Sequence, residues 1–270
     1  MSSERQLFIL AGNGPYENRG CEAITRGTAR IIRECYKDSE LLCFSHFQSD
    51  EQYRKQSVIE TDKDITHLQS FRLNEKKLIR SFWKPRTRSC VYRRIFNPKM
   101  LKYETYRDMA NFVDRASAVL SVGRDNYSLD YGIPDLFTDL DDIVTEKSKP
   151  LVIWGASVGP FDCIPYYEKY MNEHLRQISA IFARESATVD YLKRIGVVEN
   201  VYPTADPAFP MEPGKPEGIE EEMPIDEESI GINLSPLMAK YVTGGNLERW
   251  VGLATSIVRT VSQSSGMPVY

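Results

Sequence analysis

The chain opens on a short, continuous apolar run, Gln6–Gly12, with the length and composition of a strand buried on both faces. After the loop Asn13–Arg19, the residues Ile24, Thr28, Ile31, Ile32 and Cys35 recur on one stripe and predict an amphipathic helix. Glu40–His46 reads as a second strand. Strand, glycine-rich turn, helix and strand make the βαβ unit of a parallel sheet.

The same rhythm returns downstream. Met109, Phe112, Val113 and Ala116 form a helical face ahead of a strand at Ala118–Gly123. Pro150–Gly155 is another buried strand, followed by a helix that uses Tyr167, Tyr170, Met171 and Leu175. Ile178–Arg184 is a strand, and Ser186 is the expected cap of a helix carrying Val189, Leu192 and Ile195. A short strand, Asn200–Pro203, is closed by Thr204–Ala208. Residues 1–210 are therefore expected to form one Rossmann-like α/β domain, without tandem repeats.

Residues 211–228 break the pattern with three prolines and many acidic side chains, the composition of a linker. A new unit then begins at 229–270. Ser229–Ser235 reads as a strand, Leu247, Trp250, Val251, Ala254, Ile257, Val258 and Val261 as an amphipathic helix, and Met267–Tyr270 as the opening of another strand. One strand and one helix in about 40 residues bury too little surface to stand alone. The expectation is a second Rossmann-like domain, cut short.

Composition changes this picture little. With 41% hydrophobic and 27% charged residues the chain can build a packed core, and a net charge of -4 selects no partner class. No stretch approaches the ~18 consecutive apolar residues of a membrane span, and no signal-peptide block precedes the first strand. Five scattered cysteines without a C-x-x-C pair suggest neither a zinc site nor a disulfide framework. A cytoplasmic protein without metal or cofactor is expected. Residues 72–107 hold twelve Lys/Arg against two Glu, interleaved with aromatic side chains. They read either as a solvated helical insert or as a contact with an anionic membrane surface. Nucleic-acid binding is not expected, since no recognition motif accompanies the charge.

The chemistry concentrates where strands end. In open parallel sheets ligands sit beyond the carboxyl ends of the strands, and Gly12, Gly123 and Gly155 each end a strand there. Glycine lets the backbone turn sharply, and amides at a following helix start can face an anion. The loop from Gly12 and Asn13 onward is small and polar; its Asn18 and Glu22 are able to orient a sugar hydroxyl or simply to cap the helix. Arg124 and Asp125 suit an ion pair as well as ligand contacts, and Ser157 stands in a tight corner. Arg184, ending a buried strand, must find a partner: Glu185, Asp206, or the carboxylate or phosphate of a ligand. His174 lies at helical spacing from Tyr170 and Met171 and reads as a packed histidine. His46, at a strand end, is in the right layer for a site.

Taken in order, these segments resemble the polysaccharide pyruvyl transferase family. The resemblance rests on Asn18, Gly20, Glu22, Ala23 and Ile24 in the first loop and helix. It continues through Val122–Ser128, Ile153–Pro160, Ala183–Ser186 with Leu192 and Gly196, Asp206–Phe209 and Ile230–Pro236. It spans nearly the whole chain. Three features differ from the family pattern: Cys21 stands in place of Asp, Arg124 in place of a second glycine, and a late Arg and His motif of the second domain is not found before Tyr270.

The resemblance implies a two-domain architecture like the GT-B glycosyltransferases, with the site in the interdomain cleft. It implies transfer of the enolpyruvyl carbons of phosphoenolpyruvate, as co-substrate, to a sugar of a surface polysaccharide or its lipid-linked precursor. Gly12, Asn13, Gly123, Arg124, Gly155, Ser157 and Arg184 are then expected on the donor, and Asn18, Glu22, Asp125 and Asn126 on the acceptor. The general acid is expected beyond Tyr270, with His46 the candidate inside the chain. A lipid-linked acceptor would suit membrane contact through 72–107. Two other classes stay open: a nucleotide-sugar-dependent glycosyltransferase of GT-B architecture, and a non-catalytic remnant or binding protein.

Overall fold

The computed structural model describes residues 5–70, 83–96, 104–130, 132–211, 214, 218–222 and 228–270. The chain divides into two compact units, Met1–Met211 and Glu212–Tyr270. The first is a seven-stranded sheet with helices. Its elements run β1 (Gln6–Asn13), α1 (Arg19–Cys35), β2 (Ser39–Ser45), α2 (Asp50–Ile59), β3 (Ile65–Gln69), α3 (Pro85–Phe96), α4 (Arg107–Val113), β4 (Ala118–Val122), α5 (Asp135–Glu146), β5 (Leu151–Ala156), α6 (Pro165–Leu175), β6 (Ala180–Ala183), α7 (Ser186–Arg194) and β7 (Val201–Pro203).

The strand order is β3-β2-β1-β4-β5-β6-β7, and every neighbouring pair is parallel. Parallel strands covered on both faces need near-continuous apolar sequence, which is why β1 reads as it does: Leu7 to Ala11 are all buried. The larger core layer sets Ile9, Val119, Ile153 and Ile181 against Val113, Leu140, Val144, Met171 and Leu192. The other gathers Phe8, Leu10, Leu41 and Cys43 with Ile24, Ala29 and Ile32 of α1. Burial of each such large aliphatic side chain stabilises the fold by roughly 1.5–3 kcal/mol.

The expected strands and helices of the first unit are present, with two additions and one correction. The segment α2–β3 carries little apolar periodicity, because Gln56 and His67 take buried positions that an apolar residue usually holds. Helix α5, not among the expected elements, places Leu136, Leu140, Ile143 and Val144 at helical spacing and buries the last three. Ser186 is not the cap of α7. Glu185 takes that position, in extended backbone, and no side chain caps the helix. The Glu185 carboxylate is instead engaged by Ser157, Arg184 and Thr188. Of the basic segment 72–107, residues 83–96 and 104–107 lie inside the described residues; Trp83, Tyr92, Ile95 and Phe96 are exposed there.

The second unit holds α8 (Ile219–Glu222), α9 (Met238–Val242) and α10 (Leu247–Ser265). Asn246 caps α10 by accepting from the Arg249 amide, and Gly266 ends it in left-handed backbone. The strands expected at Ser229–Ser235 and Met267–Tyr270 reduce to one parallel bridge, Ile230 with Val269. Three backbone hydrogen bonds join these segments. Two short parallel segments without a third neighbour do not sustain a ladder. The apolar face of α10 buries Trp250 but leaves Val251 and Leu247 exposed along an open groove of about 560 Å³. No described helix is long and apolar enough to cross a membrane.

Candidate functional site

The strand order places β1 beside β4, and from there the chain winds in opposite senses. At such a switch point the carboxyl ends of two neighbouring strands open a crevice. Here the loops after β1 and β4 meet in it. Asn126 joins them, its amide nitrogen donating to the Gly12 carbonyl at 3.1 Å and to that of Val122 at 3.0 Å. The side chain lies so close to Gly123 that a Cβ there would stand 2.1 Å from it, so only glycine fits. Asn13 is bound inward in the same way. It donates to Cys21 O and Thr25 Oγ1, both at 2.9 Å, and accepts from the Gly14 amide.

Next to this crevice the ends of β4, β5, β6 and β7 bring a charged cluster together around Arg184. Its side chain is 15% exposed. Nε donates to Glu185 Oε1 at 2.8 Å, Nη1 to Asp206 Oδ2 at 3.1 Å and Nη2 to Ser157 Oγ at 3.0 Å, with Asp125 Oδ1 3.7 Å away. Asp206 Oδ2 also lies 3.9 Å from Arg124 Nε. One anionic oxygen thus stands between two guanidinium groups. Arg124 is half exposed and reaches to the first turn of α1, where a Cβ on Gly20 would be 3.3 Å from its Cζ. The loops are stitched by their backbones: the Ser157 amide donates to Arg124 O at 2.7 Å, and that of Gly159 to Tyr127 O at 2.8 Å.

Arg124, Asp125, Ser157 and Arg184 therefore converge as one charged cluster. The ion-pair alternative for Arg184 is realised with both Glu185 and Asp206. Asn18 acts as the cap of α1, accepting from the Gly20 amide, and Glu22 pairs with Arg19 and Arg26. Those pairs and their hydrogen bonds hold the Glu22 carboxyl below its usual range, although burial works the other way. At Gly155, one of the glycines expected on the donor, a Cβ would stand 2.3 Å from the Pro207 ring. A cavity of about 190 Å³ lies there, bordered by Trp154, Phe182, Pro207 and Asp206. The ring of His46 lies between those of Tyr106 and Phe137. Among the described residues no group of His, Cys, Asp and Glu is arranged to hold a metal ion.

Two buried polar clusters went unread in the sequence. In the first, Glu60 accepts from Arg26 at 3.1 Å and from Tyr16 at 3.1 Å, and lies 2.9 Å from His67 Nε2. In the second, Asp141 accepts from the Tyr127 hydroxyl at 2.7 Å and lies 2.9 Å from His174 Nε2. Burial pushes the Asp141 carboxyl up, against the opposing pull of His174 and Tyr127. Tyr127 and Asp141 are fully buried. His174 is the packed histidine its spacing suggests; its partner Asp141 sits on a different helix, where no local pattern announces it.

Comparison with known proteins agrees with the ordered motifs. The family model for polysaccharide pyruvyl transferase matches residues 18–264, and the chain belongs to that family. The matched region includes the segment after the acidic stretch, up to the last turn of α10. No curated protein matches the chain. Among solved structures it is similar to Medicago truncatula UGT71G1 complexed with UDP-glucose, at 10% identity and a TM-score of 0.49, over 88% of this chain and 63% of that one. It is also similar to Arabidopsis thaliana UGT89C1 complexed with UDP, at 6% identity and a TM-score of 0.42, over 85% and 59%. The chain thus spans less than two thirds of the length of either structure.

Proposed function

We propose that this member of the polysaccharide pyruvyl transferase family transfers the enolpyruvyl group of phosphoenolpyruvate to a saccharide. The observation that carries the reading is the convergence of Arg184 and Arg124 on one carboxylate oxygen at the carboxyl ends of parallel strands. Guanidinium groups hold planar carboxylates and phosphates through paired N–H donors, and their charge persists at any working pH. The donor carries both groups. A neighbouring hydroxyl, Ser157, and the half-buried carboxylate of Asp125 supply polar contacts for a sugar at the same place.

The reaction this arrangement serves begins when an acid protonates the methylene carbon of the donor, leaving an oxocarbenium-like centre at its second carbon. A sugar hydroxyl attacks that centre. When a second hydroxyl replaces the phosphate, a cyclic ketal and inorganic phosphate result. The acceptor in this reading is a surface-polysaccharide sugar or its lipid-linked precursor, met on the cytoplasmic side of a membrane. The basic, aromatic segment 72–107 suits such a contact by composition. In this reading Gly12, Asn13, Asn18, Glu22, Gly123 and Asn126 shape the crevice, the three asparagines through hydrogen bonds to backbone and Glu22 through Arg19 and Arg26.

The test is phosphate release from phosphoenolpyruvate in the presence of candidate glycan precursors, with the ketal methyl group identified by proton NMR. Phosphate release tied to a new ketal signal supports the reading. Tight binding of a nucleoside diphosphate, unaffected by phosphoenolpyruvate and without phosphate release, would favour a nucleotide-sugar-dependent glycosyltransferase instead.

A further inference from the structure

We infer that Tyr127 and Asp141 are positioning residues that hold the β4–α5 loop, and with it Arg124 and Asp125, in register with Ser157 and Arg184. The inference rests on the reading of the Arg184 cluster as the donor site. Its basis is a buried chain of polar groups that runs from the sheet to the outer helices. Ser121 Oγ on β4 lies 2.8 Å from the Tyr127 hydroxyl, which donates to Asp141 Oδ1 on α5 at 2.7 Å. Asp141 Oδ2 lies 2.9 Å from His174 Nε2 on α6, and the His174 ring stacks on Tyr170. Ser121, Tyr127 and Asp141 are each at most 1% exposed.

A buried carboxylate is an expensive way to fill a core, since apolar side chains of similar volume do so without desolvating a charge. What the arrangement adds is direction. The Tyr127 ring packs against Phe137, but packing alone leaves a ring free to shift, whereas a short bond to a fixed carboxylate sets its depth. The Tyr127 backbone is where the loop meets its neighbour. It bridges Val158, accepts from the Gly159 amide, and lies three residues past Arg124, whose carbonyl accepts from the Ser157 amide. The depth of one phenol ring therefore sets the relation between Arg124 and Asp125 on one loop and Ser157 on the next. Neither Tyr127 nor Asp141 touches Arg184 in this network; both act through the loops.

The test compares wild type with Tyr127→Phe, which keeps the ring and removes only the hydroxyl, and with His174→Asn, which frees the outer side of Asp141. Hydrogen exchange is followed at the amides of Ser157 and Gly159 and, as reference, across β1 and β4. Phosphoenolpyruvate binding is measured by calorimetry. Tenfold or faster exchange confined to Ser157 and Gly159 in Tyr127→Phe, with binding weakened at least fivefold, supports the inference. In turnover the loss is then in KM for the donor, with kcat less affected. Exchange that rises equally across the sheet, or at neither site, overturns it, because a merely structural role acts on the whole core. Should Tyr127→Phe not fold, His174→Asn decides by the same pattern. If wild type fails to bind phosphoenolpyruvate while the local exchange effect is present, the donor reading falls and the positioning role stands.

Discussion

Pro207 stands where a side chain on Gly155 would have to be: a Cβ at that position falls 2.3 Å from Pro207 Cδ. The same turn presses on α1, where a Cβ on Gly27 would lie 1.9 Å from the Pro207 carbonyl oxygen. Two glycines far apart in sequence thus seat one proline. The seat matters because the preceding residue is Asp206, the carboxylate that Arg184 and Arg124 share.

Substituting either glycine should loosen that turn. Gly155 adds a left-handed φ of +61°, which alanine adopts only with strain, and Gly27 meets backbone that cannot rotate away. Gly155→Ala and Gly27→Ala are each expected to lower the unfolding free energy by about 1–3 kcal/mol. Urea denaturation reads this directly. An unchanged midpoint in both variants would mean that the turn moves freely and does not aim Asp206.

Arg184→Lys keeps the charge but loses the fork that reaches Glu185, Asp206 and Ser157 at once. A hydrogen bond to a charged group contributes about 1.5–3 kcal/mol. Loss of one therefore weakens phosphoenolpyruvate binding by roughly tenfold to a hundredfold. Calorimetric titration of the folded variant checks it, and an affinity equal to wild type removes Arg184 from the donor site.

Stability should fall with acid through Glu60. Burial raises the pKa of its carboxyl, but the bond to His67, the Asp62 amide and Arg26 together outweigh it and hold the group down to about 2, against 4.5 for the unperturbed side chain. A folded pKa below the unfolded one stabilises the fold fully above pH 4.5, and the contribution disappears as pH falls from there towards 2. A difference of this size corresponds to at most about 3 kcal/mol. Unfolding free energies from pH 6 to pH 2 for wild type and Glu60→Gln should diverge above pH 4.5 and approach each other below it. Parallel curves would show that Glu60 titrates normally.

Thiol labelling should follow burial. Cys35 and Cys163 are exposed, whereas Cys43 is buried on β2 and its thiol is pushed up by desolvation and by the nearby Glu60 and Asp62 carboxylates. Peptide mapping after brief alkylation of the native protein is expected to find Cys35 and Cys163 modified at least tenfold faster than Cys43. Denaturant should abolish the difference. Equal rates in the native state would mean that β2 opens readily.

The residues that made the fold legible are the ones whose environment is local. Leu7–Ala11, Val119–Leu120 and Leu151–Ile153 lie in strands covered on both faces, so their sequence is apolar without a break and could be read directly. Segment 50–69 was not legible, because Gln56, Glu60 and His67 hold their positions together with Tyr16 and Arg26, which are brought from elsewhere. The two expected strands of the second unit failed for a related reason. Ser229–Ser235 has strand composition, but a strand also needs a neighbour along its length, and only Ile230 and Val269 bridge.

By itself the sequence determined the βα rhythm, the glycines at the strand ends, and an arginine that had to find an anion, because propensity and periodicity act between near neighbours. The tertiary structure decided what each glycine serves. Gly155 and Gly123 make room for Pro207 and Asn126, which arrive from other parts of the chain, and no local pattern announces such an approach. It also decided which charges meet. Arg184 is surrounded by Asp125, Ser157, Glu185 and Asp206 because four parallel strands end side by side, and distances of that kind exist only once the sheet has formed.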